Sequence, residues 1–173
     1  MSSAYSVNVP VPAEVRALAR ELRPALTPFD RIRPERSRTL VLKRLPAENR
    51  REFVADARRA RQALQGTPVF EVQVTGLGVF RNPPTGTAPV AYLAVAGQGL
   101  RAVHAALVEE FDAIEGLEGP DYVPHVTLAR DGPAAAAGSF LDREIDPVTF
   151  TVDTLELYDS VHRERVESIS LPA

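Results

Sequence analysis

His125 and Thr127 are the residues of this sequence whose types and spacing best suit catalysis. They lie in residues 122–130, which read YVPHVTLAR. In an extended strand, His125, Thr127 and Ala129 point to one face, so an imidazole and a hydroxyl converge on one surface. An imidazole with a pKa of about 6.5 exchanges protons at neutral pH, and a threonine hydroxyl donates hydrogen bonds to phosphate oxygens. The pattern favours phosphoryl chemistry, and a half-buried histidine with a purely structural role is the competing interpretation.

The composition narrows the class of protein. The chain has 173 residues, 45% of them apolar, which suffices for one domain with a closed core. A net charge of −3 argues against a protein that coats nucleic acid non-specifically, because such binding needs a basic face. With no cysteine and three scattered histidines, the sequence predicts metal-free chemistry without a cofactor. Residues 1–9 do not resemble a signal peptide and no apolar run could span a bilayer, so we expect a cytoplasmic protein with no membrane partner and favour a monomer.

The spacing of apolar residues predicts strands and helices that alternate along the chain. The predicted strands are residues 5–9, 39–45, 69–74, 76–80, 90–96, 126–129, 148–158 and 166–171. The predicted helices are residues 13–26, 48–64 and 100–114, and a flexible loop tip is predicted at 134–138. Because the order strand, helix, strand recurs in both halves, the chain is predicted to be an internally duplicated α+β fold of antiparallel sheets backed by helices.

Several segments resemble the two-histidine (2H) phosphoesterase superfamily, the group of bacterial 2'-5' RNA ligases and RNA 2',3'-cyclic phosphodiesterases. The most specific segment is PHVTLAR at residues 124–130, which is similar to the second H-x-T motif of that family. Weaker similarity is found in residues 5–10, 72–80, 100–107 and 150–158. The resemblance implies a single domain over residues 1–173, with two pseudo-symmetric lobes whose antiparallel sheets line a central cleft and whose helices lie outside.

The first H-x-T motif of the family has lost its histidine in this sequence. The corresponding stretch is residues 34–42, PERSRTLVL. If Thr39 is the motif threonine, Ser37 replaces the histidine, and Val41 and Lys43 share the same strand face. We prefer this alignment because it keeps two polar groups.

A second alignment of the first motif stays open. Counting without a gap from residues 34–35 puts Arg38 at the histidine position and Leu40 at the threonine position. This alignment loses both polar groups of the motif.

The family resemblance implies a mechanism. In the family one histidine activates water or a hydroxyl, the other protonates the departing ribose oxygen, and two threonines hold phosphate oxygens. Here the catalytic residues would be His125, Thr127 and Thr39, acting on cyclic phosphates of RNA ends or nucleotides, or joining RNA halves through a 2'-5' bond. Because Ser37 cannot exchange protons at neutral pH, we expect impaired activity. The alternative is a non-catalytic protein that binds RNA ends or nucleotides. A third hypothesis is that the fold serves only as an interaction module. In that case Ser37, Thr39 and His125 would be buried apart from one another, with no cleft between them.

Four residues are predicted to bind substrate: Ser37, Arg38, Lys43 and Tyr122. Ser37 could hydrogen-bond a phosphate, and Arg38 could help electrostatically. Lys43 could contact a phosphate or only protect an exposed strand. Tyr122 could stack on a base or pack behind its strand.

The remaining cations and histidines have weaker predictions. Arg31, Arg33, Arg36 and Arg38 form a cluster that could bind the phosphates of an RNA end or belong to a solvated loop. Arg130 is predicted to face away from Thr127 and to form a surface ion pair. His104 is predicted to border the buried stripe of its helix, and His162 is predicted to be a solvated loop residue.

Overall fold

The computed structural model describes residues 4–173, which form one nine-stranded antiparallel sheet, curled into a half-barrel, and five α-helices. The strands are β1 (Tyr5–Val9), β2 (Arg31–Ile32), β3 (Leu40–Arg44), β4 (Phe70–Phe80), β5 (Val90–Ala96), β6 (His125–Arg130), β7 (Val148–Val152), β8 (Thr154–Asp159) and β9 (Glu164–Ser170). The helices are α1 (Ala13–Glu21), α2 (Arg23–Leu26), α3 (Arg50–Ala63), α4 (Gln98–Phe111) and α5 (Ala134–Leu141). Short 3-10 helices lie at Glu35–Ser37 and Gly119–Asp121.

The sheet joins two groups of strands at its centre. Its order is β7-β4-β5-β6-β3-β1-β8-β9, and β2 pairs with β6 outside this path. Strands β6 and β3 meet through the pair Leu40 and Val126. The predicted α+β class with antiparallel strands is confirmed, and the strands with the two motif positions lie side by side where the groups meet.

The core lies between the sheet and the helices because each helix carries an apolar stripe. In α4, Leu100, Val103 and Leu107 are buried at helical spacing, and the helix packs on β3 and β4. Helix α3 begins cleanly because the side chain of its N-cap, Asn49, accepts a hydrogen bond from the Glu52 amide at 3.0 Å. Among the described residues, no helix has both the length and the hydropathy of a membrane span.

The prediction of a loop tip at residues 134–138 is wrong, because these residues begin α5. The four alanines at the start of α5 are the strongest helix formers, and the single glycine of the segment does not outweigh them. Burial anchors the helix, since Phe140 is fully buried and its ring meets that of Phe29 edge-on at 6.2 Å.

Two predicted elements are each divided in the structure, and one short strand was not predicted. The helix predicted at 13–26 is two helices, because Pro24 lacks the amide hydrogen that a continuous helix would use. The strand predicted at 148–158 is two strands, β7 and β8, which pair with β4 and β1. The two-residue strand β2 has too few residues for a detectable pattern.

Candidate active site

The two motif strands place their threonines on one face of the sheet. Because β3 and β6 are antiparallel and pair at Leu40 and Val126, Thr39 lies across from Thr127. Leu40 and Val126 point into the core, so the neighbouring residues point to the opposite face. There Thr39, Thr127 and His125 line one cavity of about 220 Å³, which we call the histidine cavity.

A β-bulge brings Arg130 to the same face, which corrects the prediction that Arg130 faces away from Thr127. Along the β5–β6 pair, Ala91 is opposite Ala129 but Tyr92 is opposite Thr127, so Leu128 is an extra residue. An extra residue reverses the alternation of side chains beyond it. Arg130 therefore lines the histidine cavity and makes no surface ion pair among the described residues.

A second bulge corrects the prediction for Lys43. Along the β1–β3 pair, Val7 is opposite Lys43 but Asn8 is opposite Val41, so Leu42 is the extra residue of β3. Beyond it the alternation reverses, and Arg44 lines the histidine cavity in the place predicted for Lys43.

Lys43 is buried on the other side of the sheet and does not reach the cavity, so its predicted contact with substrate is wrong. Its Nζ lies 2.6 Å from Glu118 Oε1 and 2.6 Å from the Arg44 carbonyl oxygen. Both charged side chains are 1% exposed. Glu118 also accepts hydrogen bonds from the amides of Arg44 and Ile114. The pair thus ties β3 to the loop that forms one wall of the histidine cavity.

Lys43→Met is expected to destabilise the protein by about 3–5 kcal/mol, because it leaves the carboxylate of Glu118 buried without its counter-charge. Urea unfolding followed by circular dichroism measures the change. The control is Arg58→Ala on the exposed face of α3, which should stay within about 0.5 kcal/mol of the parent. Equal midpoints for Lys43→Met and the parent would contradict the structural role.

Aromatic rings fix the position of His125. The ring of Phe80 meets the imidazole edge-on at 5.0 Å, and that of Tyr92 does so at 5.3 Å. Phe80 and Tyr92 stack on each other at 4.2 Å. Gly78 leaves room for this arrangement, since any β-carbon there would overlap the Tyr92 ring. The imidazole is thus held between the aromatic rings and the cavity.

The hydrogen bond of His125 identifies which ring nitrogen is engaged and which one is left without a partner among the described residues. Nδ1 lies 2.7 Å from the Val123 carbonyl oxygen, which can only accept, so Nδ1 carries the hydrogen. Burial lowers the pKa of His125, and the positive charges of Arg44, Arg33 and Arg130 lower it further, against the hydrogen bond to Val123. The neutral imidazole therefore keeps a free lone pair on Nε2, which suits a general base.

Arg33 and Arg130 supply unpaired positive charge beside the threonines. The Arg33 amide donates to the Leu128 carbonyl at 2.8 Å, which ties Arg33 to β6. Burial and the charge of Arg130 lower the pKa of Arg33. Arg130 Nε is buried without a partner, and its guanidinium lies against Gly86, where any β-carbon would overlap it. Among the described residues, neither arginine makes an ion pair with a carboxylate.

Thr39 and Thr127 also line a second cavity, of about 620 Å³, which we call the arginine groove. Arg33 and Arg130 lie between the two cavities and line both. Ser37 lines the groove, and its Oγ is buried without a hydrogen-bond partner. The two cavities thus form one cleft. The interaction-module hypothesis requires Ser37, Thr39 and His125 to be buried apart with no cleft between them, and the described residues do not show that arrangement.

The sequence profile of the 2'-5' RNA ligase superfamily matches residues 39–164. This chain belongs to that superfamily. No curated protein matches it. The match begins at Thr39 and includes both motif threonines and His125.

Solved structures share the 2H phosphoesterase fold of this chain. The structure of Escherichia coli LigT complexed with 3'-AMP aligns with this chain at a TM-score of 0.70 and 15% identity, and the alignment covers 100% of both chains. TT0787 of Thermus thermophilus has a TM-score of 0.69 at 22% identity, over 96% of this chain and 97% of that one. Kluyveromyces marxianus Usb1 has a TM-score of 0.59 at 13% identity, over 99% of both chains.

In this 2'-5' RNA ligase superfamily member, the two alignments of the first motif place different residues at the cleft. Ser37 and Thr39 line it. Leu40, the threonine of the other alignment, is 1% exposed in the core. Arg38, its histidine equivalent, is buried and lines a separate pocket beyond Thr39, outside both cavities of the cleft. Arg38 therefore lies outside both cavities of the cleft, and its predicted role in binding substrate stays a prediction.

Tyr122 forms part of the cavity wall, packed behind the strands. Its hydroxyl donates to the Val41 carbonyl at 2.8 Å, and its ring stacks on His104 at 3.7 Å. One ring face is thus covered by protein, which leaves less room for a base than predicted. Burial raises the pKa of Tyr122 and keeps its hydroxyl protonated.

No second histidine lines the cleft among the described residues. His104 is buried behind Tyr122, where its Nδ1 lies 2.6 Å from the Leu42 carbonyl oxygen and its Nε2 accepts from the Gly119 amide. His162 lies in the β8–β9 hairpin, with Nδ1 2.8 Å from Asp159 Oδ2. Sequence reasoning overlooked Phe80, Arg44 and Arg130 as residues of the cavity, and the glycine-broken strand ending in Phe80 was the available signal for the first of them.

Proposed function

We propose that this protein binds 2',3'-cyclic phosphates of RNA ends or nucleotides and opens them slowly without a metal ion. The observation that carries the proposal is the cleft itself. Two threonines and one imidazole converge there beside Arg33 and Arg130, which have no acidic partner among the described residues. Paired arginines without a carboxylate suit a phosphate, whose oxygens match guanidinium geometry. We propose that the protein acts in the cytoplasm.

In the proposed reaction, His125 Nε2 takes a proton from a water molecule that attacks phosphorus. The bond from phosphorus to the 3' oxygen breaks, leaving a 2'-phosphate. Thr39 and Thr127 donate hydrogen bonds to the phosphate oxygens, and Arg33 and Arg130 stabilise the charge that develops on them. The departing oxygen takes its proton from solvent, because Ser37 cannot supply one at neutral pH. This step makes the reaction slow.

A second candidate function is binding without turnover. It is favoured by Ser37, which replaces the first motif histidine in the preferred alignment and lines the arginine groove. A hydroxyl there can hold a phosphate oxygen but contributes nothing to proton transfer. The two candidates share a ligand and differ in whether product forms.

Turnover of a nucleoside 2',3'-cyclic phosphate in buffer with a chelator tests the proposal. Because the pKa of His125 is lowered, the rate should rise with pH while the imidazole loses its proton, and should be level between about pH 7 and 8. Product is quantified by chromatography, with Arg58→Ala as the control. A rate that falls as pH rises would contradict the role as a base, and binding without product would establish the second candidate.

A further inference from the structure

A pocket of about 310 Å³ lies next to the cleft, and we call it the asparagine pocket. It shares Thr39 with both cavities of the cleft, and it shares Tyr158 and Arg163 with the arginine groove. It therefore continues the cleft away from His125, along β1 and β8. None of the mechanism above uses this pocket.

Two buried donors at this pocket have no hydrogen-bond partner among the described residues. They are Asn8 Nδ2 and Arg38 Nε, on side chains that are 1% and 7% exposed. In the structure Ser6 Oγ donates to Asn8 Oδ1 at 2.8 Å, and the NH₂ group of Asn8 has no partner among the described residues. Buried donors are almost always paired in folded proteins, and two unpaired donors at one pocket indicate a missing acceptor.

The charge of the pocket favours an anionic acceptor. Arg36, Arg163 and Arg165 line it together with Arg38. Glu35 is engaged by Arg16 and Arg20 in ion pairs of 3.6 and 3.1 Å. Burial raises the pKa of Glu156, the other acidic residue of the lining, which weakens its tendency to carry charge. Burial lowers the pKa of Arg38 and the charge of Glu35 opposes this, but Arg38 makes no ion pair within 4.0 Å among the described residues.

We propose that the asparagine pocket holds a second phosphate of the substrate, held by Asn8 and Arg38. This inference rests on the proposed function, which places the cyclic phosphate at Thr39 and Thr127. A second phosphate next to a terminal one is a property of an oligonucleotide and not of a nucleoside cyclic phosphate. The ligand is therefore an RNA end, and the pocket discriminates it from a mononucleotide.

The test compares the binding of two ligands, a trinucleotide and a mononucleotide that both end in a 2',3'-cyclic phosphate. The parent should bind the trinucleotide about tenfold or more tightly, as expected for added charge-assisted hydrogen bonds. Arg38→Met and Asn8→Asp should remove most of this ratio, the first by deleting a charge and the second by adding a repulsive one. Arg163→Gly is a further variant, which removes a positive charge of the pocket at an exposed position. The backbone φ of Arg163 is 53°, a value that glycine adopts without strain. Arg58→Ala should leave the ratio unchanged.

Salt dependence separates a phosphate contact from a structural effect. For the trinucleotide, the slope of log affinity against log salt concentration should become shallower by about 0.7 in Arg38→Met, the value for one single-strand phosphate contact.

A ratio of trinucleotide to mononucleotide affinity near one in the parent would overturn the inference while leaving mononucleotide turnover intact. The same holds if Arg38→Met leaves both this ratio and the salt slope unchanged. If tight binding of the trinucleotide depends on Arg38 but no product forms from either ligand, the second phosphate site stands and the catalytic proposal fails. Binding of neither ligand would overturn both.

Discussion

His125→Ala is expected to lower metal-free turnover of a nucleoside 2',3'-cyclic phosphate by about a hundred- to ten-thousand-fold, the usual contribution of a positioned acid or base. The effect is large because, among the described residues, the other two histidines lie outside the cleft and cannot take over the proton. Initial rates in chelator-containing buffer measure it. The affinity for substrate should change much less, because Thr39, Thr127, Arg33 and Arg130 remain at the cleft.

His125→Asn is the matched variant for this prediction. Its amide NH₂ can still donate to the Val123 carbonyl, so it preserves the side-chain hydrogen bond that His125 makes among the described residues. It cannot exchange protons at neutral pH, so its rate should equal that of His125→Ala. If His125→Asn instead kept the parent rate, His125 would have only a structural role, and the base would have to be sought elsewhere.

Ser37→His is expected to raise turnover by about a hundred- to ten-thousand-fold, because it adds a second proton carrier to the cleft. Ser37 lines the arginine groove, whose volume of about 620 Å³ leaves room for an imidazole. A bound phosphate would raise the pKa of the new histidine and favour its protonated form, which can protonate the departing oxygen. The same cyclic phosphate assay measures the gain.

Two further variants make the gain interpretable. Arg38→His places an imidazole one residue later, outside the cleft, and should leave turnover unimproved. Ser37→His combined with His125→Ala should lose the gain, since the new acid works with the base. If Arg38→His improved turnover and Ser37→His did not, the alternative alignment of the first motif would be the correct one.

Local patterns predicted much of this fold and part of the site. The alternation of apolar and polar residues in the first half of β4 and the helical spacing in α4 record which side chains are buried, so they are readable without a structure. The same holds for His125 and Thr127, which lie two residues apart on one strand. The family follows from these segments, and the profile match confirms it.

Other features of the cleft depend on pairing between distant strands. The bulges at Leu42 and Leu128 bring Arg44 and Arg130 to the cavity and send Lys43 to the core, because each strand adjusts to its partner. Neither strand contains a glycine that would mark its bulge, so simple alternation predicted the wrong face for Lys43 and Arg130. Arg33 reaches the cleft because the two-residue strand β2 pairs with β6.

The sequence by itself thus determined the family and the alternation of strands and helices, and it pointed to one imidazole and two threonines as candidates for phosphoryl chemistry. These are properties of short segments, set by side-chain burial within a single strand or helix. Only the tertiary structure decided which cations line the cleft and that Asn8 and Arg38 share a pocket beyond Thr39. Those properties depend on strand register across the sheet, where one extra residue reverses every side chain that follows it.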